Sequence, residues 1–138
     1  MTGASIVKPG LVRGMAATVE SDVTASMTAR LDGQAIHPVL GTAALVEWLE
    51  WAGRKLILAY LDAEEDAIGY RIEMVHLAPC RIGEHFTATA EFVSLEENRV
   101  QAAIYADGPR GRLAQGSFTQ VVLPKSALQV RLRDPASG

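Results

Sequence analysis

The chain has 138 residues, 49% of them apolar, and carries 13 basic against 16 acidic side chains for a net charge of −3. That length supports one core rather than two, so the span 1–138 reads as a single domain. The absence of a basic stripe argues against nucleic acid as a partner, and the longest apolar stretch, Leu56 to Leu61, is too short to cross a bilayer.

In chain order, residues 1–13 are broken by Pro9 and Gly10, lack the apolar centre of a secretory leader, and read as a loose arm. Met15 to Glu20 reads as a strand ended by Ser21-Asp22. Thr24 to Pro38 shows neither the helical nor the strand period and contains Gly33 and Pro38. It is expected as a long covering loop with at most one helical turn, and loops of this length are often lids or binding segments. Gly41 to Asp62 is the one long helix, because Leu45, Trp48, Leu49, Ala52, Leu56, Ala59 and Tyr60 recur at helical spacing. Thr42 stands where a capping residue would. The acidic run Asp62 to Asp66 reads as a solvated connection.

Four strand-like runs follow. Ile68 to Leu77 alternates, with Tyr70, Ile72, Met74 and His76 on one face. Glu84 to Leu95 puts Phe86, Ala88, Ala90 and Phe92 inward. Arg99 to Ala106 groups Val100, Ala102, Ile104 and Ala106, and Leu113 to Leu123 is the last. The breaks at Glu96-Glu97-Asn98 and at Asp107 to Gly111 are short enough for hairpins, so these strands are expected to be antiparallel. Gly116, inside the last run, marks a bulge or a close approach of backbone. The tail 125–138 is expected to fray. The order is strand, loop, helix and a meander of four strands. It predicts an α+β fold in which a five-stranded antiparallel sheet wraps one long central helix. So small a sheet leaves open edges, and a second copy of the chain would cover them.

Three residue types in this pattern can run acyl transfer: a hydroxyl, a carboxylate and an imidazole. Thr42 sits at the mouth of the helix, where it is either a cap or a hydroxyl held beside backbone N–H groups that favour anionic oxygen. Glu50 is either a surface residue paired with Arg54 at i+4, or an inward carboxylate fit to act as a base. His76 is either a core histidine satisfied by a backbone acceptor or a proton carrier. Thr42 and Glu50 are separated by about 12 Å along the helix at ~1.5 Å per residue, so they share a substrate only if it lies along the helix or if a second subunit supplies one of them. Three scattered histidines and one cysteine give no metal-ligand spacing. Cys80, being alone, cannot form an internal disulfide, which fits a reducing cytoplasm. The chain has no phosphate loop, dinucleotide fingerprint or nucleophile-elbow serine.

Several segments together resemble the hotdog-fold thioesterases of the fluoroacetyl-CoA thioesterase type. They are Val39-Leu40-Gly41-Thr42, Leu49-Glu50-Trp51-Ala52, Tyr60-Leu61, Ile68-Gly69 through Val75-His76, Thr87 to Glu91, and Ala114-Gln115-Gly116-Ser117. The resemblance implies acyl-CoA hydrolysis with no metal or other cofactor beyond the CoA of the substrate. It implies a homodimer, with assembly to a tetramer left open, whose active sites lie at the subunit interface. It carries the catalytic set onto Thr42, Glu50 and His76, and gives the backbone N–H near Gly69 to the thioester oxygen. Selectivity departs from the pattern. The segment Gln34 to Pro38 has no aromatic gate, and Ile36, with Met27 and Leu31, is left as an apolar wall against the acyl group. A short or medium acyl-CoA is therefore the expected substrate. The rival readings are a non-catalytic acyl-CoA-binding or sensing module and a hotdog dehydratase.

Overall fold

The computed structural model describes residues 7–133. Seven strands and two helices run in the order β1 (Ala16–Asp22), β2 (Thr28–Leu31), β3 (Gln34–Leu40), α1 (Thr42–Leu58), β4 (Glu65–His76), β5 (His85–Glu96), β6 (Arg99–Gly108), β7 (Gly111–Pro124) and α2 (Lys125–Arg133). Five of the strands form one antiparallel sheet in the order β1-β5-β6-β7-β4. The helical stripe of α1 buries Leu45, Leu49, Ala52, Gly53, Leu56 and Ile57 against it. The expected α+β architecture, a five-stranded antiparallel sheet against one helix, is present.

Small side chains explain how closely helix and sheet approach. Ala88, Ala90, Ala102, Ala106 and Ala114 are all fully or almost fully buried. Gly53 brings the helix against β7 so tightly that a Cβ there would lie 2.6 Å from Phe118 Cδ2. At Gly116 an added Cβ would sit 1.8 Å from the Glu73 carbonyl oxygen, so the close approach expected at this position is between backbones.

The structure corrects several expectations. The four-strand meander is only β5-β6-β7, because β4 pairs with β7. The eight-residue connection Leu77 to Glu84 is too long for a tight hairpin and crosses over, held by Leu40 N–H to Cys80 O and Gly83 N–H to Val23 O. The expected loop from Thr24 to Pro38 is a 3-10 turn at Ala25–Met27 followed by the β2-β3 hairpin. Its two-residue turn is Asp32-Gly33, with φ of 53° and 77°, the left-handed pair that a tight hairpin requires. The helix ends at Leu58 rather than Asp62. The acidic run is not simply solvated. Glu65 and Asp66 begin β4, Glu65 is buried and accepts from Asp62 N–H at 2.9 Å, and Asp66 pairs with Arg54 at 3.0 Å.

The termini also differ from expectation. Residues 125–133 are helical, although α2 buries nothing. The part of the arm that is described is tied down, with Lys8 N–H donating to Tyr60 O at 2.8 Å and Val7 and Leu11 packing on the core. Residues 1–6 and 134–138 lie outside the described residues.

Candidate active site

Thr42 is the first residue of α1, and it is not the cap. Gly41 occupies that position and no side chain caps the helix. Gly41 is pressed against β2, where an added Cβ would lie 3.0 Å from the Ala29 backbone, so a side chain has no room there. The first-turn N–H groups therefore lack a side-chain acceptor and present the positive end of the helix dipole. The Thr42 hydroxyl is turned to β4 instead, with Oγ1 2.9 Å from His76 Nδ1. The two share a recess of about 380 Å³ with Val39, Leu77, Ala78 and Pro79. The other imidazole nitrogen, Nε2, is buried with no hydrogen-bond partner among the described residues. His76 is thus not the satisfied core histidine that its strand face allows. An unpaired buried ring nitrogen costs about 1–3 kcal/mol, and such groups concentrate at sites of function.

A bulge in β4 decides which side chains face the helix. Gly69 is opposite Gln120 of β7 and Arg71 is opposite Thr119, so the register slips by one between them. Glu65, Ala67 and Gly69 point inward before the slip, and Ile72, Met74 and His76 point inward after it. Gly69 and His76 are seven positions apart, so in a regular strand without the bulge they would lie on opposite faces. Tyr70 is thereby moved from the inward set expected of it to the outer face, where it is 58% exposed and stacks under Arg99.

Glu50 lies two turns into α1 and is exposed in the single chain. Its expected partner Arg54 is engaged elsewhere, donating to Asp66 Oδ1 at 3.0 Å and to Ala67 O at 3.2 Å. The Ala67 N–H, and after it that guanidinium, hold the Asp66 carboxyl below its ordinary range. The Glu50 carboxylate turns to Gly69 instead, and Oε2 is 3.1 Å from where a Cβ on Gly69 would stand. The pocket between them, about 430 Å³, is also lined by Trp51, Phe118 and Gln120.

The chain therefore holds two separate pairs, Thr42 with His76 and Glu50 with Gly69, spaced along α1 and β4. Ile36 joins neither, lining a third recess of about 270 Å³ beside His37, Pro38 and Ile82. Gln120 is a pocket residue that the reading of catalytic residues missed. The available signal was a lone amide on the inward face of β7, in phase with Ala114, Gly116, Phe118 and Val122. Among the described residues no cluster of three or more His, Cys, Asp or Glu is placed to hold a metal ion.

Residues 23–126 match the family model described as fluoroacetyl-CoA-specific thioesterase. The chain belongs to this family. The fluoroacetyl-CoA thioesterase of Streptantibioticus cattleyicolor is 30% identical over 100 residues, 71% of this chain and 72% of that protein. A thioesterase superfamily member of Thermus thermophilus is 34% identical, covers 94% of this chain and 96% of its own, and superposes with a TM-score of 0.89. A hot-dog-like protein from Thermanaerovibrio acidaminovorans is 26% identical, with coverage of 93% and 95% and a TM-score of 0.85. The fold is thus the hotdog fold, and as a member of the thioesterase family the chain is a thioester hydrolase.

Proposed function

We propose that the chain hydrolyses short or medium acyl-CoA thioesters, without a metal or added cofactor, in active sites that two copies complete. The observation that carries this reading is the pair of half-sites. A hydroxyl lies in contact with an imidazole at 2.9 Å, and a carboxylate faces a glycine in a pocket of about 430 Å³.

The thioester carbonyl lies over Gly69, whose missing side chain leaves room for it, and is polarised by the Gly69 N–H and the Thr42 hydroxyl. Glu50 supplies the attack, either as base for water or as nucleophile through a mixed anhydride that a water then hydrolyses to free the acid and regenerate the carboxylate. His76, acting with Thr42 Oγ1 beside its Nδ1, delivers a proton to the departing sulfur, and the proton that Glu50 takes from water restores it. The result is a free acid and a CoA thiol.

Homodimerisation supplies the missing proximity. β4 is a 12-residue edge strand with β7 on one side only, and Val75 and Tyr70 along it are 60% and 58% exposed. Pairing β4 with a second β4 antiparallel, centred between Ile72 and Glu73, sets Gly69 opposite His76 of the partner subunit. Each active site then takes Glu50 and Gly69 from one chain and the hydroxyl–imidazole pair from the other. Cys80, buried and unpaired, suits a cytoplasmic protein.

Free-thiol release from a panel of acyl-CoAs tests the activity. Acyl-CoA binding without thiol release would assign the sensing role instead. Mixing Glu50→Gln and His76→Ala chains tests the shared site. Random pairing restores about a quarter of wild-type activity if the halves come from different chains, and none if each chain carries its own complete site.

A further inference from the structure

Gln120 is 3% exposed, yet it lines the pocket that holds the Glu50 carboxylate. Its Nε2 donates to the Gly53 carbonyl oxygen at 3.0 Å. A backbone carbonyl can only accept, so this contact fixes which end of the amide is which. The nitrogen faces the helix, and the oxygen is not among the buried unpartnered atoms of the described residues, so it is open to the pocket that Gln120 lines. The amide is held rigidly, because Phe118 and Gly53 close over the same spot. It stands beside Gly69 in the β4–β7 register, next to the proposed seat of the reacting carbonyl.

A buried polar group held this firmly and left half-paired is what a site looks like when its ligand supplies the remaining partner. The free end offers one acceptor and one donor, and a hydroxyl both donates and accepts. Glu50 and Glu47 on the same pocket wall disfavour a carboxylate there, since Arg54, the one cation lining it, is already paired with Asp66. An unsubstituted alkyl chain would leave both amide groups buried and unpaired. We propose that Gln120 is a specificity-determining residue that binds a hydroxyl on the acyl chain, so that the natural substrate is a short hydroxyacyl-CoA. This inference rests on the acyl-CoA thioesterase reading above and narrows its substrate class.

The test uses isosteric substrate pairs that differ only by hydroxyl against methyl: 2-hydroxypropionyl-CoA with 2-methylpropionyl-CoA, and 3-hydroxybutyryl-CoA with 3-methylbutyryl-CoA. Thiol release is measured for the wild-type protein and for Gln120→Met, which keeps side-chain length and removes both hydrogen-bonding groups. The wild type is expected to favour the hydroxyl member of at least one pair by tenfold or more in kcat/KM. Gln120→Met should reduce that ratio to near unity or invert it. A ratio within one protein cancels any general loss of folded enzyme, which a purely structural role for Gln120 would cause without moving the ratio. Gln120→Met that does not fold leaves the wild-type ratios to decide. Wild-type ratios near one in both pairs, or an unchanged ratio in a folded Gln120→Met, overturn the proposal while the thioesterase reading stands. No thiol release from any acyl-CoA overturns both.

Discussion

Replacing Gly69 by alanine should make the protein slightly more stable and markedly slower. The position lies in strand β4 without a left-handed φ, so alanine fits the backbone. Its methyl would meet Phe118 ring atoms at 3.5 and 3.6 Å, ordinary contacts, and Glu50 Oε2 at 3.1 Å. The tight neighbour is thus the movable end of a carboxylate, which retreats by a few tenths of an ångström. Stability gains about 0.4–1 kcal/mol from the reduced freedom of the unfolded chain, which for a chain of this size raises Tm by about 1–3 °C. Catalysis loses on two counts. The methyl occupies the space proposed for the thioester carbonyl, and the carboxylate is pushed off its line of attack. A displacement of about 1 Å can cost 10²-fold, so a smaller shift combined with the filled space should cost about 10–10²-fold in kcat/KM, or ~1.4–2.8 kcal/mol of transition-state stabilisation. Thiol-release kinetics and a thermal melt on the same sample decide the matter. Wild-type kcat/KM with wild-type or higher Tm would refute the placement of the carbonyl over Gly69. A large drop in Tm would refute the packing argument. Gly116→Ala is the contrasting control, since its methyl meets the Glu73 backbone oxygen and neither strand can yield. That variant should melt far lower, whatever its activity.

His76→Ala should lower turnover by about 10²–10⁴-fold and remove one limb of the pH–rate profile; an intact profile would return His76 to a packing role. The ratio of kcat/KM for fluoroacetyl-CoA over acetyl-CoA should stay below about 10³, because an aliphatic wall supplies only about 1–3 kcal/mol of discrimination, and a larger ratio would mean that other residues build a gate. The Arg110 guanidinium, 2.6 and 2.8 Å from Glu84, holds that carboxyl at about 2 against an ordinary 4.5. A lowered carboxyl pKa stabilises the fold above the unfolded value, so the contribution of the pair is complete above pH 4.5 and is lost as pH falls towards 2. The Tm gap between wild type and Arg110→Gln should therefore be constant near neutrality and close on acidification, and a gap that widens in acid would contradict the assignment.

Local pattern in the sequence determined the helix and the sheet faces. The 3.6-residue stripe Leu45, Leu49, Ala52 and Leu56 has one burial solution, and the alternation of Phe86, Ala88 and Ala90 with Val100, Ala102 and Ile104 has another, because each period fixes a single apolar face. The β2-β3 hairpin read as a loop, because the register shifts in β2 break the alternation that would have announced its strands and left Asp32-Gly33 as the one local sign of its turn. Tertiary structure alone decided the rest. Nothing local tells β4 to pair with β7 rather than β5, since partner choice depends on which pairing buries the shared face once the long connection closes. Nothing local reveals the slip after Gly69 that turns both Gly69 and His76 toward α1. Thr42 reads as a cap until Gly41 takes that position and β4 brings an imidazole to the hydroxyl. Glu50 reads as an i+4 partner of Arg54 until Asp66, arriving from the next strand, claims the guanidinium and leaves the carboxylate facing a glycine. The sequence supplied the chemical groups and the periods that bury their neighbours. Their directions were settled by pairing between segments far apart in the chain, where the burial gained by the whole sheet outweighs the preference of any single residue.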